Sequence, residues 1–234
     1  MPEELDFQSL EALNEKLNDG ALLEEYRKPY DHYRPHILAR ILGSFFVGAG
    51  DLIYGKEPSY QKFKAIEIVA RIPYQSWEVA AYTLLTALHG NEKTAIALSR
   101  SSRFSRLAQD NETMHVVVIS QIVRRQCRSS IILHTLIPML FSFFYFWALY
   151  LVYLFFPRVV LETNYLFEFH AFEQYQRFLD VRGEALKREP ITSEFLTLYG
   201  RNPKSQYEFF RSIRNDELIH RNRSIREIEM RAEQ

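Results

Sequence analysis

The sequence predicts an all-α fold: a ferritin-like four-helix bundle around a di-iron centre, with two additional helices that dock on a membrane. Three observations predict it. The 234 residues include only eight glycines and nine prolines, little turn material for a chain of this length. Long apolar-patterned stretches are bounded by helix start and stop signals. Four glutamates and two histidines fall in the order Glu, Glu-x-x-His, Glu, Glu-x-x-His, one set on each of four long stretches.

Composition excludes several classes. At 47% hydrophobic and 25% charged, the chain can bury a core, so it is not disordered. Its 29 Lys and Arg balance 29 Asp and Glu, which argues against nucleic acid as a partner. A single cysteine, Cys127, excludes a disulfide framework and any cysteine-built zinc or iron–sulfur site. Aromatic residues make up 15% of the chain, and their clustering points to a membrane.

The elements follow in order. The start, Met-Pro-Glu-Glu-Leu, has neither the basic nor the apolar region of a targeting peptide, so none is expected here. Residues 1–35 read as a polar N-terminal arm with a short helix. A single domain follows over 36–230, with a charged tail at 231–234. The apolar run 36–54, interrupted by Arg40 and Asp51, suits a helix lying in a membrane interface or a buried one. A helix over 58–89 starts at Pro58, is kinked by Pro73 and stops before Gly90. The next spans 104–130, after a polar connection at 100–106. Residues 131–156 hold no Asp, Glu, Lys or Arg, and ten of the 26 are Phe, Tyr or Trp. They yield a helix over 138–156, apolar on nearly every side. Helices over 159–182 and 205–230 complete the set, joined by a Gly/Pro-marked connection with a short helix at 192–199.

The chemistry sits on four of these helices. Glu112-Thr-Met-His115 and Glu217-Leu-Ile-His220 each place a carboxylate and an imidazole on one helical face. About one such pair is expected by chance from this composition, so the pairs alone decide little. Glu67 and Glu168 add weight, because each is a lone acid inside an apolar helical run. An ionised carboxylate buried without a partner costs several kcal/mol, roughly, or more. Each must meet an Arg or Lys from another helix, hold a proton or bind a cation. The full set is that of a di-iron or di-manganese carboxylate bundle, with Glu112 and Glu217 bridging and Glu67 and Glu168 terminal.

Topology supplies a check. If 131–156 crossed the bilayer once, Glu112 and His115 would lie on one side and Glu168 on the other. A shared site therefore requires that the segment enter and leave by the same face, as in a monotopic protein. A transmembrane helix is the competing reading from hydropathy alone.

At these residues the chain resembles the alternative oxidases, and more closely their plastid terminal oxidase branch. The similar strings are Ile66-Glu67-Ile68-Val69-Ala70-Arg71-Ile72-Pro73-Tyr74, Asp110-Asn111-Glu112-Thr113-Met114-His115, the run with Phe144-Tyr145-Phe146, Pro157-Arg158, Glu168-Phe169-His170-Ala171-Phe172-Glu173-Gln174-Tyr175 and Ile213-Arg214-Asn215-Asp216-Glu217-Leu218-Ile219-His220. They fall in family order over residues 36–225. The sequence departs from the family pattern at Ile66 and Ile68, which flank Glu67 in place of Leu and Thr. Lys62 stands where an arginine is expected, and Ser120 and Gln121 where acids often stand. Cys127 is not at the regulatory cysteine position of the mitochondrial forms.

The resemblance implies a membrane-bound quinol oxidase with two iron ions, which turns two quinols and one O2 into two quinones and two waters. It implies plastoquinol or ubiquinol as the reductant, one bilayer leaflet as partner, a homodimer, and a thylakoid or cyanobacterial inner membrane as location. It implies that Tyr175, seven residues beyond Glu168 on the same helical face, is a redox-active or hydrogen-bonding tyrosine. Asn111 and Asp216, each just before a ligand, orient ligands or move protons; Lys62, His170 and Gln174 contact the quinol. Three alternatives stay open: a di-iron quinone-ring hydroxylase, a metal-storage or ferroxidase bundle, and a metal-free helical membrane scaffold.

Overall fold

The computed structural model of the protein describes residues 6–232, all helix and connecting turns without a strand among them. The leaderless start expected at 1–5 and the last two residues of the expected tail lie outside that range.

The bundle consists of α4 (Tyr60–Leu88), α5 (Glu92–Gln126), α7 (Pro157–Arg188) and α9 (Gln206–Ala232). α4 packs mainly on α5, and α7 on α9. Local chemistry sets the helix starts. The side chain of Ser59 accepts from the Lys62 amide to cap α4, Asn91 accepts from Thr94 to cap α5, and Pro157 opens α7. α4 continues through Pro73, where the Ser76 hydroxyl donates to the Ile72 carbonyl at 2.6 Å.

α5 begins at Glu92, twelve residues before the expected position. The segment read as a polar connection at 100–106 is a tightly packed part of the helix. Ser101, Ser102 and Ser105 are buried there, and the Trp77 indole N–H donates to Ser101 at 2.7 Å. Small hydroxyls let two helices approach closely, and that packing overrides the polar composition.

Two helices lie outside the bundle, α3 (Ile37–Tyr54) against α7 and α6 (Ile137–Phe155) against α4. Gly43 allows the α3 contact, since a Cβ there would meet Leu166 at 2.8 Å. α6 runs in the same direction as α4: Ser142 donates to the Ile68 carbonyl at 3.3 Å, and the Tyr150 hydroxyl lies 3.1 Å from Thr83. A π-helical turn, Ile132–Leu136, leads into it. Ile37–Tyr54 and Ile132–Phe155 are long and apolar enough to cross a membrane, yet only 11% and 17% of the most apolar 18 residues of each is buried. Ile41, Phe45, Leu52, Phe143, Phe144 and Phe155 are among their exposed side chains.

The expected arm contains α1 (Phe7–Lys16) and α2 (Gly20–Arg27), which pack on α9. Leu10, Leu17, Leu23 and Tyr26 form a cluster there with Phe172, Leu218 and Ile219. Inside the bundle, one aromatic core holds Phe63, Phe178 and Phe210, and another holds Tyr74, Trp77, Phe104 and Tyr153. The polar centre lies between them. The short helix α8 (Glu194–Leu198) falls within the connection predicted for it.

Candidate metal centre

α4 carries Glu67, α5 carries Glu112 and His115, α7 carries Glu168, and α9 carries Glu217 and His220. All six side chains are buried in the bundle interior. They form two overlapping groups, Glu67–Glu112–His115–Glu217 and Glu112–Glu168–Glu217–His220, with the donor atoms of each within 4.8 Å of one another. Glu112 and Glu217 belong to both. The aromatic run 131–156 does not separate Glu112 from Glu168, because α6 passes along the outside of α4.

All of these residues but Glu168 have side-chain donor atoms left without hydrogen-bond partners. Glu67 Oε2, both oxygens of Glu112, Glu217 Oε1, His115 Nδ1 and both ring nitrogens of His220 have none. His115 Nδ1 faces Glu112, Glu67 and Glu217 at 3.4, 3.5 and 3.6 Å, too long and too poorly aligned for hydrogen bonds. His220 Nδ1 lies 2.9 Å from Glu112 Oε1, also out of line. So many orphaned polar atoms would be costly in an ordinary core, and here they point at two shared points. The residues therefore fit two cations. Carboxylate-rich sets with one imidazole suit iron or manganese.

Electrostatics agree with a place built for positive charge. Burial raises the Glu67 carboxyl to about 8, and the Glu112 charge adds to it. Burial also raises Glu217 well above the usual carboxylate range, with Glu112 and Glu168 contributing, and raises Glu168. Burial opposes ionisation of Glu112 as well, but His115 and His220 outweigh it and hold that carboxyl below its ordinary value. Burial acts to lower His115 and His220, yet the surrounding carboxylates raise both. Without a cation the cluster gathers protons instead.

Neighbouring side chains fix the residues of the two clusters. His115 Nε2 donates to Asp216 Oδ2 at 2.9 Å, which leaves Nδ1 aimed at the carboxylates. Asp216 is itself held by both ends of the Arg201 guanidinium, at 2.5 and 2.8 Å, and by Asn14 Nδ2 at 2.6 Å. The Tyr175 hydroxyl donates to Glu67 Oε1. Asn111 is fully buried, and neither end of its amide has a hydrogen-bond partner.

A cavity of about 350 Å³ opens between α3 and α6 and reaches the centre. Glu168, Glu217 and Tyr175 form its inner wall, and Phe45, Phe46, Tyr54 and Phe141 are among its apolar lining. His170 and Gln174 line it, and burial lowers the His170 imidazole. Lys62 does not. Its buried ammonium donates to Asp51 Oδ1 and the Gly55 carbonyl, both at 2.8 Å, and lies 3.5 Å from Gln174 Oε1. It ties the end of α3 to the bundle and meets the cavity only through Asp51 and Gln174, which do line it.

Four residues of the site, Tyr74, Asn164, Arg201 and Asn14, escaped the sequence reading. The Tyr74 hydroxyl donates to Glu168 Oε1 at 2.7 Å and accepts from Asn164 Nδ2 at 2.9 Å. The signal for Tyr74 was present: it stands seven residues beyond Glu67, as Tyr175 stands seven beyond Glu168. Each tyrosine crosses to the glutamate of the other helix. Arg201 gave no signal, because it belongs to the connection before α9 and reaches Asp216 only through the fold.

The family model of the alternative oxidases matches residues 34–226. The chain is also similar to ubiquinol oxidase 4, chloroplastic/chromoplastic, of Arabidopsis thaliana. Identity is 25% over 193 residues, covering 73% of this chain and 51% of the relative. This chain thus matches about half the length of that curated relative. No solved structure gives a significant match. The family match takes in every residue of both clusters, from Glu67 to His220, and the chain belongs to the alternative oxidase family.

Proposed function

We propose that this chain is a membrane-bound, non-haem di-iron quinol oxidase, oxidising two quinols as one O2 becomes two waters. One observation carries the reading: an apolar cavity of about 350 Å³ leads from between the two exposed helices to Glu168, Glu217 and Tyr175. That volume is in the range of small-molecule sites, and its aromatic lining suits a quinol ring. A metal-storage bundle needs neither the cavity nor the apolar outer faces of α3 and α6.

Glu67, Glu112, His115, Glu168, Glu217 and His220 would hold two iron ions, with Glu112 and Glu217 shared. When bound, the ions supply O2 activation and electron transfer. The protein orients and insulates. His170 and Gln174 are polar groups on a mainly apolar wall and would direct the quinol hydroxyls inward. Lys62 acts through Gln174 and Asp51. The Tyr175 hydroxyl lies between the cavity and Glu67, where it can pass a proton or an electron. Asp216 holds His115 in the tautomer that frees Nδ1.

The exposed aromatic and aliphatic faces of α3 and α6 would sink into one leaflet, the compartment in which quinol dissolves. Plastoquinol is the favoured reductant and a thylakoid or cyanobacterial membrane the favoured location. The His170-Ala171-Phe172-Glu173-x-Tyr175 string supports that choice, and the chloroplastic relative, itself named as a ubiquinol oxidase, supports the location alone.

Oxygen uptake by the detergent-purified, iron-analysed chain tests the reading. Plastoquinol and ubiquinol should drive cyanide-insensitive, gallate-sensitive uptake, with quinone as product. Tyr175→Phe should keep its iron and lose most turnover. A ring-hydroxylated product would identify a quinone hydroxylase instead, and absence of bound iron would leave a membrane scaffold.

A further inference from the structure

The two metal subsites are held in different ways, and the structure assigns Tyr74 as the positioning residue of the Glu168–His220 subsite. The assignment rests on the dimetal reading and goes beyond it by dividing the support between the two ions. Tyr74 touches both ligands that are private to one subsite. Its hydroxyl donates to Glu168 Oε1 at 2.7 Å, and its ring centroid lies 5.1 Å from that of His220. The hydroxyl is itself aimed by Asn164 Nδ2 at 2.9 Å, and the same amide donates to Ser224 Oγ at 3.0 Å. Ser224 donates in turn to the His220 carbonyl at 3.0 Å, so this small network returns to the helix turn that carries the ligand.

The contrast with Tyr175 gives Tyr74 its distinct role. Both tyrosines sit seven residues beyond a terminal glutamate and bond the glutamate of the opposite helix. Tyr175 also lines the cavity, so it can meet a substrate. Tyr74 is fully buried behind the centre, among Trp77, Phe104 and Tyr153, and is not part of the cavity wall. Its hydroxyl meets the cavity only through Glu168 and Asn164, which line it, and its contacts to the centre are with the ligands Glu168 and His220. His220 has no hydrogen bond on Nε2, so its orientation depends on the rings beside it, Tyr74 and Phe104. Removing the Tyr74 hydroxyl frees Glu168 to rotate, and removing the ring also loosens His220.

The test uses the full detergent-purified chain, stripped of metal and titrated anaerobically with Mn²⁺, followed by calorimetry and electron paramagnetic resonance. Wild type should take up two ions that give an exchange-coupled signal. Tyr74→Phe should weaken one ion by about 10–100-fold, the usual effect of losing such a support. The other ion should stay unchanged, so a lone-ion signal persists at limiting Mn²⁺. Tyr74→Leu should weaken the same ion further. Should both variants fail to fold, Asn164→Ala keeps the phenol and should give a smaller loss at the same ion. A merely structural residue would shift both ions alike; equal weakening of both, or of neither, overturns the assignment. Fewer than two ions on the wild-type chain would overturn the dimetal reading instead.

Discussion

The two halves of the metal centre are nearly alike in sequence and unlike in support. Each half has a lone glutamate on one helix, a histidine three residues beyond a shared glutamate on another, and a tyrosine crossing to brace the lone acid. They differ at the residue before the shared glutamate: Asn111 on α5 and Asp216 on α9. Asp216 takes the His115 N–H, and a buried carboxylate there requires a cation. Arg201 supplies it, backed by Glu11 at 2.7 Å and accompanied by Asn14. The His115 half is thereby tied by ionic contacts to α1 and to the connection before α9. The His220 half has a neutral asparagine in the matching place, no bond on His220 Nε2, and support from aromatic rings and Tyr74. This less rigidly tied half supplies Glu168 to the cavity wall, whereas Glu67 and His115 lie behind it. One Asn/Asp difference separates an ionic scaffold from an aromatic one.

The largest break in the comparison is to remove what the halves share. Glu112→Ala takes a carboxylate from both clusters, so it should lose both ions and abolish oxygen uptake. Glu67→Ala and Glu168→Ala, each confined to one half, should leave one ion bound. Metal-to-protein ratios on the three purified variants check this, and full turnover in Glu112→Ala would end the shared-ligand assignment. Circular dichroism should stay helical in all three, because the surrounding apolar clusters are untouched.

Asp216→Asn breaks one half only. It makes the two halves alike in side-chain chemistry, with an amide before each shared glutamate. Arg201 then loses a forked carboxylate partner, and His115 must compete with it for the one remaining amide oxygen. The expected result is about 10–100-fold weaker binding of the ion on the His115 side. Calorimetric titration of Mn²⁺ reads it, and the ion beside His220 should bind as before.

The halves also differ in how legible they were. The six cluster residues could be picked out because helical periodicity links residues three apart, whereas Tyr175 came from the family resemblance. Lone acids in apolar runs then demand an explanation. The ends of α4 and the start of α9 could be read from Gly/Pro signals. The start of α5 could not, because Ser101, Ser102 and Ser105 look like a loop until Trp77 is seen packed over them. Arg201 and Asn14 were hidden for a different reason. Their contacts join positions 15 and 202 residues away from Asp216, and no local spacing encodes such a meeting. Sequence periodicity exposes the residues that face the interior of a helix bundle, and misses those brought in by loops and arms.

The smallest effect, and the one that weighs the two scaffolds against each other, is the pH dependence of the metal-free fold. Glu67 holds its proton up to about 8 in the folded chain, whereas an unfolded glutamate releases it near the model-peptide value of 4.5. Between those values the folded state binds more protons than the unfolded one, so acidification from pH 8 stabilises it. Glu168, Glu217, His115 and His220 are all raised and act in the same direction. Glu112, which burial raises but His115 and His220 hold low, acts oppositely, and so does Asp216. Burial disfavours its charge, but Arg201 and His115 hold its carboxyl below 3.8, so its contribution is present above that value and lost on further acidification. Metal-free protein should therefore be most stable near pH 5. Each proton in excess corresponds to about 1.4 kcal/mol per pH unit, or about 3–6 °C in Tm for a chain of this size. Mn²⁺-loaded protein should show the reverse slope from pH 8 to pH 6, since protons compete with the ions for the same carboxylates and imidazoles. Thermal melts across pH 4–8, with and without chelator, measure both slopes. A metal-free Tm that climbs from pH 6 to pH 8 would mean that the acids at 67, 168 and 217 are not crowded together in the bundle interior.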